Sequence, residues 1–193
     1  MRTFIAIELP QEIKSALSNI QAELKQAHAD VKWVKPENIH LTLKFLGEID
    51  ETLVEKICAI LEGIARQNTP FNLSLSNLGA FPKLNYPRVI WIGVTNDQPV
   101  VKIAQEIEKE AVEIGLPRES RPFSSHITLG RVRSALNRGA LIEKLIFLKK
   151  NFPPSNLEFK VHSLTLFKST LTPTGPIYEV LTTHPLQSGD GSL

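Results

Sequence analysis

A chain of 193 residues with 42% hydrophobic content can build one large domain or two small lobes, and its composition excludes a disordered polymer. The formal net charge of +2 is too small to argue for nucleic acid by itself, and the single cysteine, Cys58, excludes an intrachain disulfide and a multi-cysteine zinc site. The opening run Met1–Glu8 is too short for a signal peptide's apolar core, and no segment approaches the ~20 apolar residues of a membrane span, so a soluble cytoplasmic protein is expected.

Thr3 to Leu9 reads as a buried strand, and Pro10 then suits the first turn of a helix carrying Ile13, Leu17, Ile20 and Leu24. His28 is expected on that helix's surface. Val31 to Val34 is a short extended piece, and Pro36 breaks the chain before a strand over Asn38 to Leu46. Asp50 is an expected N-cap for a helix bearing Leu53, Ile57 and Ile64, in which Cys58 is a small buried apolar residue. Phe71, Leu73 and Leu75 alternate as a strand whose parity slips at Ser76-Asn77, the mark of a bulge; Phe81 to Pro87 is turn-rich. The order then restarts. Val89 to Val94 is apolar, Asp97 can cap a helix with Val100, Ile103, Ile107 and Ala111, and Gly115 and Pro117 stop it. A strand over Phe123 to Val132 and a helix with Leu141, Leu145 and Leu148 follow. Leu157, Phe159 and Val161 alternate, the parity slips at His162-Ser163, and Ile177 to Leu181 is the last strand, with His184 at its end. Residues 187–193 are polar and expected to be a flexible tail.

The restart is a repeat. His40-Leu41-Thr42-Leu43 and His126-Ile127-Thr128-Leu129 stand 86 positions apart, and the same shift superposes Arg2 on Arg88, Pro36 on Pro122, Phe71 on Leu157 and Phe81 on Phe167. The repeats are about 1–86 and 87–186 within a single bilobal domain over 1–186, with two similar β-α-β-β-α-β lobes. In each copy the strand alternates. Ile39, Leu41, Leu43 and Phe45 share one parity and belong to a core; His40, Thr42 and Lys44 share the other. An imidazole and a hydroxyl therefore stand ~6.6 Å apart along each strand, at ~3.3 Å per residue. A two-fold relation would set the two strands on opposite walls of a cleft.

Two histidines so placed suit in-line displacement at phosphorus, one taking a proton from water and the other giving one to the leaving oxygen. Thr42 and Thr128 can donate to non-bridging phosphate oxygens, and Lys44 and Arg131 can stabilise developing charge. Arg131 shares parity with Leu129, so it reaches the cleft only from a strand end or beyond a bulge. It belongs to five arginines between Arg118 and Arg138 that face one acid, Glu119, a local excess suited to anions. A catalytic zinc usually has three protein ligands, and the repeat supplies two histidines with no matched carboxylate, so neither metal nor cofactor is expected.

The run Trp33-Val34-Lys35-Pro36-Glu37-Asn38-Ile39-His40-Leu41-Thr42-Leu43-Lys44-Phe45-Leu46-Gly47-Glu48 resembles the first motif of RNA 2′,3′-cyclic phosphodiesterases. Arg121-Pro122-Phe123-Ser124-Ser125-His126-Ile127-Thr128-Leu129-Gly130-Arg131 resembles the second, with Ser125 where that family often has proline. These proteins, also called 2′-5′ RNA ligases, belong to the two-histidine phosphoesterase superfamily. The resemblance implies a bilobal α+β fold with antiparallel sheets around a central cleft. It also implies hydrolysis of RNA 2′,3′-cyclic phosphate ends to 2′-phosphomonoesters, with His40 as general acid to the 3′ oxygen and His126 as general base. The partners it implies are such RNA ends, including tRNA fragments; nothing in the chain demands more than a monomer, and no membrane partner is expected. An ATP-independent ligase joining tRNA halves, or a non-catalytic nucleotide-binding module, would share the fold.

Overall fold

The computed structural model describes residues 1–151 and 157–187. Its elements are β1 (Arg2–Glu8), α1 (Gln11–Lys25), β2 (Val31–Trp33), β3 (His40–Glu48), α2 (Glu51–Gln67), β4 (Phe71–Lys83), β5 (Tyr86–Thr95), α3 (Gln98–Glu113), β6 (His126–Val132), α4 (Arg138–Asn151), β7 (Glu158–Val161), β8 (Ser163–Thr172) and β9 (Gly175–Pro185), with a 3₁₀ turn at Pro36–Asn38. The strands form two antiparallel sheets, in the orders β3-β1-β8-β9 and β2-β6-β5-β4-β7. The expected α+β fold with two similar lobes is present.

The lobes are not the two sequence halves. The first sheet joins β1 and β3 to β8 and β9 from the second half, while the other joins β5 and β6 to β2 and β4 from the first. The helices cross over as well. The first sheet carries α2 against β8 and β9 and α3 against β3; the second carries α4 against β4, with α1 packed on α4. The exchange has a visible pivot. β4 and β7 pair antiparallel with Leu73 opposite Phe159, and these two residues are themselves one repeat apart. A strand pairing with its own repeat equivalent places the pseudo-two-fold axis at that pair. Both flanking parity slips are real. β4 is bulged between Leu75 and Leu78, and the chain breaks pairing at His162 as it leaves β7 in one sheet for β8 in the other.

Local chemistry explains most boundaries. The Asp50 carboxylate accepts from the Leu53 N–H at 2.8 Å and starts α2 as expected. Asp97 makes no such side-chain bond, and α3 begins instead with Pro99 in its first turn. The apolar stripes of α1 to α4 bury Leu17, Ile57, Ile103 and Leu145 completely. Some expectations are corrected. The tetrad strands begin at the histidines themselves, because Pro36 and Asn38 close a 3₁₀ turn and Arg121–Ser125 stays irregular. β4 runs through the turn-rich stretch to Lys83. His28 lies beyond α1 in a left-handed turn conformation (φ 52°). Cys58 is half-buried rather than fully enclosed. Of the expected tail, residues 188–193 lie outside the described residues, while the Gln187 N–H donates to Ala65 and Asn68 carbonyls. No helix among the described residues is long and apolar enough to cross a membrane.

Candidate active site

The two tetrad strands meet: β3 and β6 lie in contact where the sheets approach each other. Each begins with its histidine, and each histidine is held in the same way. The His40 Nδ1 lies 2.6 Å from the Asn38 carbonyl oxygen, and the His126 Nδ1 lies 2.8 Å from that of Ser124. A carbonyl can only accept, so Nδ1 carries the proton in both rings and Nε2 is left to exchange one. Asn38 and Ser124 are one repeat apart, so the anchor belongs to the duplicated scaffold and survives Ser125 in place of proline. The Ser125 hydroxyl is buried without a hydrogen-bond partner.

The surroundings differ. The His40 Nε2 lies 2.8 Å from the Thr42 hydroxyl, and its ring packs 4.9 Å from Phe4 and edge-on to Tyr178 at 5.5 Å. Phe4, Ala6 and Phe167 form a second small apolar cluster with Tyr178, separate from the main core. His126 meets Phe81 edge-on at 5.1 Å and Trp91 at 6.3 Å, and no hydrogen bond to its Nε2 or to the Thr128 hydroxyl is found among the described residues. Burial pushes both imidazoles below their ordinary value. The backbone bonds to Asn38 and Ser124 oppose this, and the charges of Lys14 at His40 and Arg131 at His126 reinforce it. Burial raises Tyr178, against the charges of Arg2 and Arg131, so its hydroxyl stays a donor. A pocket of about 190 Å³ opens beside His40, lined by Glu8, Lys14, Glu37, Asn38 and Tyr178 among others.

The remaining two candidates are decided by one backbone irregularity that occurs twice. Opposite β1, Ala6 pairs with Thr42 and Ile5 with Lys44, leaving Leu43 extra; opposite β5, Trp91 pairs with Thr128 and Ile90 with Gly130, leaving Leu129 extra. Leu43 and Leu129 are repeat equivalents, and each bulge reverses the alternation that follows it. In β6 this is the bulge that Arg131 required: Gly130 turns inward and Arg131 joins the face of His126 and Thr128. The bulged Leu129 carbonyl is doubly satisfied, by the Val34 N–H at 2.9 Å and by the buried Gln21 Nε2 at 2.8 Å. In β3 the same bulge has the opposite consequence. Lys44 is only 8% exposed, and its ammonium meets the Glu108 carboxylate at 2.5 Å and the Pro117 carbonyl at 3.4 Å. It is turned toward α3, not into the cleft where simple alternation had put it. Phe45, expected in the core, is 62% exposed and joins the His40 face, 6.0 Å from Phe4. Burial acts to raise Glu108, but the hydrogen bond and charge of Lys44, the Glu119 N–H and the charge of Arg118 together hold its carboxyl below the usual range.

Of the arginine cluster, Arg131 is at the cleft, Arg118 acts on Glu108, and Arg138 stacks 4.7 Å over the Tyr86 ring. These three arginines thus make separate local contacts. Asn38, Phe4, Phe45 and Tyr178 join the site without being marked by the tetrad pattern. The match of Phe81 with Phe167 was the available signal, since each ring flanks the histidine of its own wall. Among the described residues, no group of three or more His, Cys, Asp or Glu side chains converges.

Comparison with known proteins fits this geometry. The profile described as LigT like Phosphoesterase matches residues 7–91 and again 92–178, a division close to the repeat. A protein of Thermotoga maritima named RNA 2′,3′-cyclic phosphodiesterase is 39% identical over 182 residues, covering 94% of this chain and 93% of that protein. Among solved structures, TT0787 of Thermus thermophilus superposes with a TM-score of 0.81 at 29% identity, covering 98% of this chain and all of that one. Escherichia coli LigT complexed with 3′-AMP gives 0.78 at 27% identity, covering 97% and 98%. With the two matches together spanning most of its length, the chain belongs to the LigT-like phosphoesterase family.

Proposed function

We propose that this protein hydrolyses RNA 2′,3′-cyclic phosphate ends to 2′-phosphomonoesters, with residues 1–186 acting as one bilobal unit. The observation that carries the reading is the duplicated His-x-Thr at the start of two contacting strands, each imidazole fixed through Nδ1 by a backbone carbonyl one repeat apart. Family membership supplies the substrate class, through relatives named RNA 2′,3′-cyclic phosphodiesterase. Interleaved strands and helices support the single unit, since neither half has a sheet of its own.

In this mechanism His126 takes a proton from water through Nε2 as the water oxygen bonds to phosphorus. The bond from phosphorus to the 3′ oxygen breaks, and His40 delivers its Nε2 proton to that oxygen. The products are a 2′-phosphate and a 3′-hydroxyl, and one proton passes from His126 to His40 through solvent before the next turnover. Thr42 and Thr128 donate to the non-bridging oxygens, and Arg131 stabilises the charge that accumulates there. His40 must be charged to act, whereas burial and Lys14 favour its neutral form; the anionic substrate supplies the opposing charge. No step needs a metal or cofactor. One chain provides both histidines, so a monomer suffices, and the substrates are RNA ends, tRNA fragments among them, met in the cytoplasm.

The test is product analysis with an oligoribonucleotide ending in a 2′,3′-cyclic phosphate, in the presence of chelator. The expected product is the 2′-phosphomonoester. A 3′-phosphate, or no turnover until a divalent ion is restored, overturns the reading. A 5′-hydroxyl RNA in the same assay reveals the reverse, 2′-5′ joining direction.

A further inference from the structure

We propose that Lys32 and Arg131 form a subsite for the phosphate on the 5′ side of the terminal nucleotide, so that the cleft reads an RNA end rather than a lone cyclic nucleotide. The inference rests on the cyclic-phosphate reading above and adds to it a substrate class and a residue outside both motif tetrads.

The register places the pair. β2 and β6 are antiparallel with Lys32 directly opposite Arg131, so their side chains leave the same face of the sheet. That face is the cleft face. On either side of Lys32, Val31 and Trp33 turn the other way and pack over Gly130, where a Cβ atom would stand 2.8 Å from Val31 Cγ1 and 2.9 Å from Trp33 Cε3. Arg131 lies past the Leu129 bulge on the side of His126 and Thr128, and its charge acts on His126 and on Tyr178 of the facing wall. Lys32 is exposed beside it.

Two like charges directly opposite on neighbouring strands repel. Here neither has an ion-pair partner among the described residues, although six other ion pairs are formed. An anion seated between them removes the repulsion, and the two groups are complementary. The guanidinium offers a planar fork for two phosphate oxygens, and the ammonium offers a mobile point charge. The position of the pair reaches a neighbouring phosphate as well as the reacting one. Arg131 stands one pleat repeat beyond Thr128, ~6.6 Å along the strand plus the bulge, a distance on the scale of a single nucleotide step. Arg131 thereby serves both phosphates, and Lys32 serves the second.

The test compares a nucleoside 2′,3′-cyclic phosphate with the same compound bearing a 5′-phosphate. In the unaltered protein the 5′-phosphate should raise kcat/KM by about tenfold, mainly through KM, the scale of one charge-assisted hydrogen bond. In Lys32→Gln that ratio should fall toward one, and Lys32→Arg should restore it. A ratio near one in the unaltered protein, or an unchanged ratio in Lys32→Gln, overturns the subsite. A second readout does not depend on chemistry. For an oligoribonucleotide ending in a 3′-hydroxyl, Lys32→Gln should reduce the slope of log affinity against log salt by about one. If no cyclic phosphate is turned over, the proposed activity fails while this slope still decides the subsite, and an unchanged slope overturns it.

Discussion

The wall around His40 and the wall around His126 share a plan and differ in contents. Both start a strand at a histidine, fix its Nδ1 on a carbonyl two residues earlier, and bulge three residues later at Leu43 or Leu129. Past the bulge the equivalents diverge: Lys44 and Phe45 on one wall answer to Gly130 and Arg131 on the other. One wall therefore ends in an exposed aromatic ring and the other in an exposed cation. His40 is enclosed by Phe4 and Tyr178 and bonded to Thr42, while among the described residues no hydrogen bond reaches the Nε2 of His126, whose ring meets Phe81 and Trp91. Duplication supplies a symmetric pair of histidines, the proton carriers of the proposed mechanism. The bulge supplies positions free to break that symmetry, which a reaction with distinct entering and leaving oxygens requires.

The largest expected effect comes from removing either carrier. His40→Ala and His126→Ala should each lower kcat by ~10²–10⁴-fold, the range for a positioned general acid or base. The walls predict different structural side effects. His40→Ala opens a void among Phe4, Tyr178 and Thr42 and should lower the melting temperature. His126→Ala, on the open wall, should scarcely move it. Paired kinetics and thermal melts check this. Equal destabilisation with normal turnover by the folded fraction would make both histidines structural.

Much of this comparison is legible in the sequence alone. Period-two alternation located the tetrad strands, and a repeat of 86 positions paired the histidines, because both signals are local or self-similar. Strand exchange between the halves was not legible: a sequence repeat states which segments are alike, not which of them pair. Lys44 shows the other limit. Its parity matched His40 and Thr42 in the sequence, and one inserted residue, Leu43, reversed it. A bulge is one of the two ways, with a strand end, by which Arg131 can reach the cleft, and the repeat that carries the bulge to β3 also carries Lys44 out of the cleft. The His40 enclosure draws on β1, β3, β8 and β9, a convergence that no local pattern displays.

A smaller effect separates the walls by charge. Burial first and Lys14 next hold His40 below its ordinary value. An acid works only while protonated, so a lowered value moves the alkaline limb of kcat/KM in the free protein to lower pH, below the ordinary histidine value of about 6.5. Bound phosphate opposes the shift, so the corresponding limb of kcat should lie higher. Lys14→Gln removes a lowering charge and should carry the kcat/KM limb upward while leaving the acid limb, governed by His126 on the other wall, in place. If both limbs move together, or the limb moves down, His40 is not the acid. Full pH profiles of kcat and kcat/KM decide it.

The smallest expected effect on catalysis, and the sharpest test of the bulge, is Lys44→Met. Simple alternation would put this ammonium beside the phosphate, where its loss would cost ~10-fold or more in kcat/KM. The bulge puts it against Glu108 with its side chain 7% exposed, while the Glu108 side chain keeps 25% exposure. Methionine preserves the unbranched stem and deletes the charge, leaving Glu108 with the Glu119 N–H, at 2.7 Å, and water. Loss of the charge-assisted bond should lower stability by about 1–3 kcal/mol. For a chain of this size that is a fall in melting temperature of roughly 2–4 °C per kcal/mol. Because Lys44 leaves the sheet on the side away from His40 and Thr42, kcat/KM should stay within about twofold, the range of a substitution remote from the reacting atoms. Lys44→Met combined with Glu108→Gln should be less destabilised than the two single changes predict together, since each alone strands its own partner. A melting temperature unchanged in Lys44→Met, together with a large loss of kcat/KM, would return Lys44 to the cleft and remove the bulge from the first wall.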